Sequence, residues 1–259
     1  MADPAEGIAV DGTIRTGVDR RLVPVDFEPV LAAAVEAAAI DHASLYVYGS
    51  VANGTVRPGS SDVDLLAIGM PSAAAAAQRL SVRFEALCRG VEIASATVSD
   101  VDADTDAAYG FRVFLRHYCV HLAGMDLAAG LPHHPADARA ARGFNGDIAQ
   151  HWRRWQQALD SGTVADEVLG RRVGRKTLLA VAGLVSIHDH TWTTDRVRSA
   201  ERWCEVEPTE AGALHQLVRW ATMVERPVRV DLRSALADGG IVSAIVDSFA
   251  RDIGLWPDG

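Results

Sequence analysis

The sequence lacks the features that usually mark secreted and membrane proteins. Its three cysteines, Cys88, Cys119 and Cys204, are widely spaced and form no CxxC pair, so a disulfide framework is not indicated. The longest apolar run, residues 178–187, is much shorter than the roughly 20 residues that cross a bilayer. Residues 1–12 are acidic and lack the apolar segment of a secretory signal. We therefore expect a soluble cytoplasmic protein with reduced thiols and no membrane partner.

Positive charge is also scarce. The sequence has 25 Lys and Arg residues against 34 Asp and Glu residues, and its formal net charge is −9. Proteins that bind duplex nucleic acid without sequence preference use clustered basic side chains to displace counterions. The composition therefore argues against nucleic acid as a partner. It leaves nucleotide binding open, because bound divalent cations invert the local charge.

Several catalytic signatures are missing. The sequence contains no GxSxG of serine hydrolases, no P-loop and no Rossmann fingerprint. His117 and His121 have the spacing of a zinc-binding pair on a helix, but no adjacent glutamate and no clear third ligand accompany them. Serine hydrolysis, P-loop NTP hydrolysis and dinucleotide binding therefore have no support in the sequence.

Alternating helix and strand patterns fill the first hundred residues. Residues 27–40 and 71–88 have apolar side chains at helical spacing, whereas residues 45–48, 62–68 and 91–98 are β-prone. This order predicts a small mixed sheet with helices packed on it.

Helical patterns dominate after Asp100. Gly, Pro and Asp clusters separate apolar helical patterns at 111–124, 137–159, 166–188, 194–205, 208–224 and 239–254. We predict an α+β protein in three parts. These are a mobile or loosely packed arm over 1–22, a mixed-sheet domain over 23–105 and a helical domain over 106–259.

The most informative motif joins the two central strands of the predicted sheet. Gly49-Ser50 follows the first of these strands, and Asp62-Val63-Asp64 begins the second after eleven intervening residues. Side chains two apart on a strand leave the same face, so Asp62 and Asp64 should lie together while Val63 enters the core. Paired carboxylates repel each other unless a cation lies between them, and Mg²⁺ prefers such oxygen ligands.

The Gly49-Ser50 turn is suited to binding phosphate. Glycine lets the backbone approach a phosphate closely, and exposed N–H groups with the Ser50 hydroxyl can hold phosphate oxygens.

Taken together, the strand, Gly49-Ser50, the loop and the following strand with Asp62 and Asp64 resemble the signature of the DNA polymerase β-like nucleotidyltransferase superfamily. The resemblance covers about residues 27 to 100. It implies that the 23–105 domain binds ATP or another NTP with Mg²⁺, and that an acceptor oxygen attacks the α-phosphorus while pyrophosphate leaves.

The same resemblance implies a third carboxylate on a later strand. Glu92, early in the third strand, is the best match and would ligate metal or accept the proton of the acceptor. Asp100, Asp102 and Asp104, just beyond that strand, remain alternatives.

Length and architecture resemble the streptomycin/spectinomycin type of aminoglycoside adenylyltransferase. This implies AMP transfer to a hydroxyl group of a small molecule such as an aminoglycoside, and hence a role in antibiotic resistance. It also implies that basic residues of the helical domain reach the phosphates, for which Arg175, Lys176 and Arg196 are the candidates. A protein or RNA acceptor and an inactive nucleotide-binding module stay open as alternatives. The oligomeric state, monomer or dimer, is left open.

Overall fold

The computed structural model describes residues 3–257. It divides into two compact units. The first, which we call the sheet unit, consists of Asp3–Glu6 and Thr13–His134. The second, the helical unit, consists of Gly7–Gly12 and the chain from Pro135 onwards. The α+β class, with a small mixed sheet followed by a helical region, is confirmed.

The longer strands form one mixed sheet in the sheet unit. The strands of the described chain are β1 (Gly7–Ile8), β2 (Ile14–Arg15), β3 (Ser44–Tyr48), β4 (Asp62–Ile68), β5 (Gly90–Ala96) and β6 (Val120–Ala123). The last four lie in the order β5–β4–β3–β6. Strand β3 is antiparallel to both β4 and β6, whereas β4 and β5 are parallel. The end of β3 therefore meets the starts of β4 and β5 at one end of the sheet.

Helices of the sheet unit are α1 (Glu28–Ile40), α2 (Gly49–Ala52), α3 (Ala73–Arg83), α4 (Val98–Asp102) and α5 (Asp106–Tyr118).

Strand β4 is buried on both faces along most of its length. Val63, Leu65 and Ala67 belong to the apolar cluster that contains the buried residues of α1 and α3. Leu66 and Ile68 belong to a second cluster on the opposite face. Burial of a Val, Leu or Ile side chain contributes about 1.5–3 kcal/mol, and this burial fixes which face every residue of β4 occupies.

The helical unit is built around one long helix. Its helices are α6 (Ala138–Asn145), α7 (Ile148–Ser161), α8 (Asp166–His188), α9 (Arg196–Val206), α10 (Ala211–Ala221), α11 (Arg229–Leu236) and α12 (Ile241–Asp252). Helix α8 contacts α6, α7, α9, α10 and α12. Within residues 3–257, no helix combines the length and the apolar character needed to cross a membrane.

Two predicted helical patterns need correction. The pattern at 111–124 is only partly helical, because α5 ends at Tyr118 and Val120–Ala123 pairs with β3 as strand β6. The contact with β3 overrides a local pattern that is compatible with either structure. The pattern at 137–159 is divided between α6 and α7, which are separated by Gly146 and Asp147.

The sheet unit extends to His134, whereas the sequence predicted a domain boundary at residue 105. Helix α5 and strand β6 contribute to the sheet unit, although the sequence assigned both to the helical part.

The predicted loose arm over residues 1–22 is packed where the sheet unit contains it. Ile14 is buried, and its N–H donates to the carbonyl of His134. The Thr16 hydroxyl donates to the carbonyl of His117, and the Asp19 N–H donates to the carbonyl of Ala52. These long-range hydrogen bonds carry no local sequence signal, which is why the segment looked unstructured. Residues 1 and 2 of the arm lie outside the described chain.

A buried histidine on α5 makes the sheet unit sensitive to acid. His117 is buried, and its Nε2 accepts a 2.9 Å hydrogen bond from the N–H of His134. Burial, followed by the charges of His134, His133 and Arg116, lowers the pKa of His117 to about 4.

We expect acid to destabilise the sheet unit through this group. The unfolded chain binds the proton near the ordinary value of 6.5, so stability is fully present above that pH and is lost as pH falls towards about 4. The loss amounts to about 3 kcal/mol. Urea unfolding across this range should show His117→Gln with a shallower pH dependence than the unaltered protein. The exposed His215→Gln should keep the full dependence, and equal slopes for the two variants would contradict the assignment.

Candidate functional site

Three acidic side chains share one face of the sheet at the start of β4 and β5. Asp62 and Asp64 alternate with the core residues Val63 and Leu65, as their spacing predicts. In the parallel ladder, Asp64 pairs with Glu92 and Asp62 pairs with Gly90. Adjacent strands lie about 4.8 Å apart, so Asp64 and Glu92 are direct neighbours on this face. Both aspartates are half-buried and Glu92 is exposed.

Asp62 is paired with an arginine from the start of the neighbouring strand. The Arg89 Nε donates to Asp62 Oδ1 at 2.9 Å, and its Nη2 donates to Asp62 Oδ2. This bidentate pairing raises the pKa of Arg89, to which the charges of Glu92 and Asp64 add smaller contributions. The guanidinium therefore lies in the electrostatic field of all three carboxylates.

The absence of a side chain at Gly49 leaves room for the Asp64 carboxylate. Tyr48, the last residue of β3, pairs with Asp64, and Gly49 follows with a φ of 69°. A Cβ atom at Gly49 would lie 2.5 Å from Asp64 Oδ2, closer than real Cβ contacts allow. Glycine is thus required here both by the left-handed backbone and by the adjacent carboxylate.

Ser50 is the second residue of the short helix α2 and directly follows Gly49, the residue that lies against Asp64. Its carbonyl accepts hydrogen bonds from the N–H groups of Thr55 and Val56, at 2.9 and 3.0 Å. The Ser50 side chain is half-buried. The structure therefore places Gly49, Ser50 and Asp64 at the same end of the sheet.

The alternative third carboxylates lie at the other end of β5. Asp100 lies in the first turn of α4, where its carboxylate accepts a 2.7 Å hydrogen bond from the N–H of the N-cap residue Thr97. Asp102 ends α4 and Asp104 follows it, and both are exposed. Because β4 and β5 are parallel, these residues lie beyond the strand end that pairs with Ile68, whereas Glu92 lies beside Asp64.

The carboxylates are ligands of the chemical type that Mg²⁺ prefers. Mg²⁺ is bound by one or two carboxylates, with water and phosphate oxygens completing its shell. Over residues 3–257, however, no three His, Cys, Asp or Glu side chains converge closely enough to form a metal-binding group. Asp62 is instead engaged by the Arg89 cation.

The basic residues predicted to bind phosphate line one cavity of the helical unit. This cavity has a volume of about 580 Å³. It brings Arg175 and Lys176 of α8 together with Arg196 of α9. Arg154 and Arg172 also line it, so five basic side chains surround one concave surface. Such a concentration of like charge favours an anionic ligand.

Lys176 is the most constrained of these cations. Its Nζ lies 2.7 Å from Asp147 Oδ1 and donates to the carbonyl of Phe144 at 3.0 Å. Burial lowers the pKa of Lys176, the pairing with Asp147 opposes this effect, and the charges of Arg154 and Arg196 add to the lowering. Burial also lowers the pKa of Arg196. The cavity therefore holds incompletely neutralised positive charge.

Three basic residues were not among the site residues predicted from the sequence: Arg154 and Arg172 of the cavity, and Arg89 of the sheet unit. Arg172 precedes Arg175 by three residues on α8, a spacing that places both on one helix face and offered a usable signal. Arg89 gave no comparable signal, because its pairing with Asp62 depends on the register between β4 and β5.

A comparison with protein families finds a similarity that lies within the sheet unit. Residues 33–103 match the family model described as the nucleotidyltransferase domain. The matched segment contains Gly49, Ser50, Asp62, Asp64 and Glu92, and covers well under half of the chain. A search of curated proteins gave no significant match. This segment is therefore similar to nucleotidyltransferase domains, which supports nucleotidyl transfer in general.

Proposed function

We propose that the protein transfers a nucleoside monophosphate, AMP from ATP, to a hydroxyl group of a small molecule and releases pyrophosphate. The observation that carries this proposal is the placement of Asp62, Asp64 and Glu92 on one face of the sheet, beside the Gly49 turn. An aminoglycoside-like acceptor agrees with the acidic composition, because such molecules are cationic.

In this reaction the three carboxylates share the role of metal ligand, and Glu92 is also the proton acceptor. Asp62, Asp64 and Glu92 would hold Mg²⁺, which when bound neutralises negative charge on the triphosphate and in the transition state. The acceptor oxygen forms a bond to the α-phosphorus as the bond from that phosphorus to the β-phosphate oxygen breaks. The electron pair of the broken bond leaves with pyrophosphate, and Glu92 receives the acceptor proton.

Gly49 and Ser50 contribute to the placement of the nucleotide. Gly49 keeps the backbone close to Asp64, so that phosphate oxygens can approach the turn without a side chain in the way. The Ser50 hydroxyl donates a hydrogen bond to a phosphate oxygen.

The cationic cavity of the helical unit is proposed to bind the phosphates of ATP. Arg175, Lys176 and Arg196 supply charged donors, for which each hydrogen bond contributes about 1.5–3 kcal/mol. Lys176 is the only lysine in the sequence, so amine chemistry can report on this cavity alone apart from the chain terminus.

We expect Arg196→Gln and Lys176→Gln each to weaken ATP binding by about tenfold or more. Arg198→Gln is the matched control, because Arg198 lies on the same helix as Arg196 but is 87% exposed. Binding is measured by isothermal titration calorimetry. Separately, ATP should protect Lys176 from an amine-reactive reagent, with labelling read by mass spectrometry. Unchanged affinity in both cavity variants, with no protection of Lys176, would exclude the cavity as the phosphate site.

The activity itself is tested with ATP labelled at the α-phosphate. The protein and Mg²⁺ are incubated in parallel with a panel of aminoglycosides, with cellular RNA and with cellular protein. Label in a small molecule supports the proposal. Label in a macromolecule would transfer the proposal to an RNA or protein acceptor, and ATP binding without any transfer would favour an inactive nucleotide-binding module.

A further inference from the structure

The acidic face of the sheet unit already carries a cation of its own. Arg89 donates through both Nε and Nη2 to the two oxygens of Asp62. A guanidinium fork of this kind occupies both carboxylate oxygens at once. The same carboxylate is one of the three proposed metal ligands, so Arg89 and a metal ion would compete for it.

The backbone of Arg89 is fixed, whereas its side chain is not enclosed. The Arg89 N–H donates to the carbonyl of Ser61 at 3.0 Å, and the preceding Cys88 is buried in the core of the sheet unit. The Arg89 side chain is nevertheless 60% exposed, against 19% for Asp62. The guanidinium can therefore swing into solvent while β4, β5 and their aspartates keep their places.

Electrostatics favours a resident cation on this face. With Asp64 and Glu92 side by side and Asp62 two residues away, three negative charges share a small area. Like charges at this spacing repel each other unless a cation is present. Arg89 provides that cation through its pair with Asp62, and the charges of Glu92 and Asp64 also act on it.

We propose that Arg89 acts as a built-in counter-cation that holds Asp62 in the metal-free protein and must release it before a divalent cation is bound. This inference rests on the proposed function, because it assumes that the carboxylates are the metal site. Arg89 is on this view a regulatory residue of the site, setting the concentration of free metal at which the carboxylates converge. Removing it should tighten metal binding, because both a competitor and a repelling charge are lost.

The test measures metal binding without nucleotide. Mn²⁺ is titrated by calorimetry into the full-length protein and into Arg89→Gln and Arg89→Lys. We expect Arg89→Gln to bind Mn²⁺ about three- to tenfold more tightly than the unaltered protein. Arg89→Lys, which keeps the charge but loses the fork, should lie between them. Arg83→Gln is the matched control, since Arg83 is exposed on α3 and lies against Phe84.

A second measurement follows the arginine directly. In a nitrogen–proton correlation spectrum, the Arg89 Nε–H signal is identified by its loss in Arg89→Gln, and Mg²⁺ should shift it as the hydrogen bond to Asp62 breaks. Circular dichroism establishes that each variant is folded.

The outcomes separate this inference from the proposed function. Tighter Mn²⁺ binding in Arg89→Gln that is lost on adding Asp64→Asn supports both. Equal or weaker binding in Arg89→Gln, with binding still dependent on Asp64, overturns the counter-cation and leaves the metal site intact. Absence of Mn²⁺ binding in every variant overturns the metal site and the counter-cation together.

Discussion

Replacing Asp64 by asparagine is expected to abolish nucleotidyl transfer while the sheet unit stays folded. The substitution keeps the size of a half-buried side chain but removes the charge that a metal-bound triphosphate requires. We expect a rate lower by about a thousandfold or more, which corresponds to about 4 kcal/mol of transition-state stabilisation. The measurement is transfer of the α-phosphate label, under the conditions in which the unaltered protein is active.

The chain offers a matched control for this substitution. Asp102 and Asp104 form a second Asp-x-Asp pair, but both are exposed and follow the far end of β5. Asp104→Asn should therefore retain full activity. If Asp64→Asn kept most of its activity, or if Asp104→Asn lost as much, the chemistry would have to be assigned to another part of the chain.

The second large effect is expected for Gly49→Ala. Alanine at a φ of 69° has a conformational cost of about 1–2 kcal/mol, and its Cβ would lie 2.5 Å from Asp64 Oδ2. Because Asp64 is short and starts from a hydrogen-bonded strand, its carboxylate must rotate out of place. We expect activity to fall by about a hundredfold or more, with only a moderate loss of stability.

Gly59→Ala separates the two causes. Gly59 has a φ of 73°, so alanine meets the same conformational cost there, but a Cβ would have no neighbour within 4 Å. Thermal melting should show similar destabilisation in both variants, while only Gly49→Ala loses transfer activity. A similar loss of activity in both would show that loop strain is responsible and that the contact with Asp64 is not.

The elements with a clear local spacing of apolar residues could be predicted from the sequence. The strand containing Asp62 and Asp64 was predicted with its correct bounds, because Val63 and Leu65 alternate with polar residues and enter the core. Helix α8 was predicted over its full length from a long apolar pattern. Helix α11 was not predicted, since eight residues offer too little periodicity.

The rest depended on contacts between distant residues. Strand β6 looked helical until its pairing with β3 was known. Gly49 was expected to let the backbone approach a phosphate, but no pattern predicted that a Cβ atom there would also lie 2.5 Å from Asp64 Oδ2. No pattern along the chain places Arg89 beside Asp62, because the two residues are 27 positions apart in sequence.

The strands that carry the acidic residues differ in how many neighbouring strands are hydrogen-bonded to them. Strand β4 is hydrogen-bonded to a neighbour on each side, whereas β5 is the outermost strand. Outer strands can fray while inner ones stay bonded. Glu92, the proposed proton acceptor, therefore lies on a strand that is hydrogen-bonded on one side only, whereas Asp62 and Asp64 lie on a strand that is bonded on both sides.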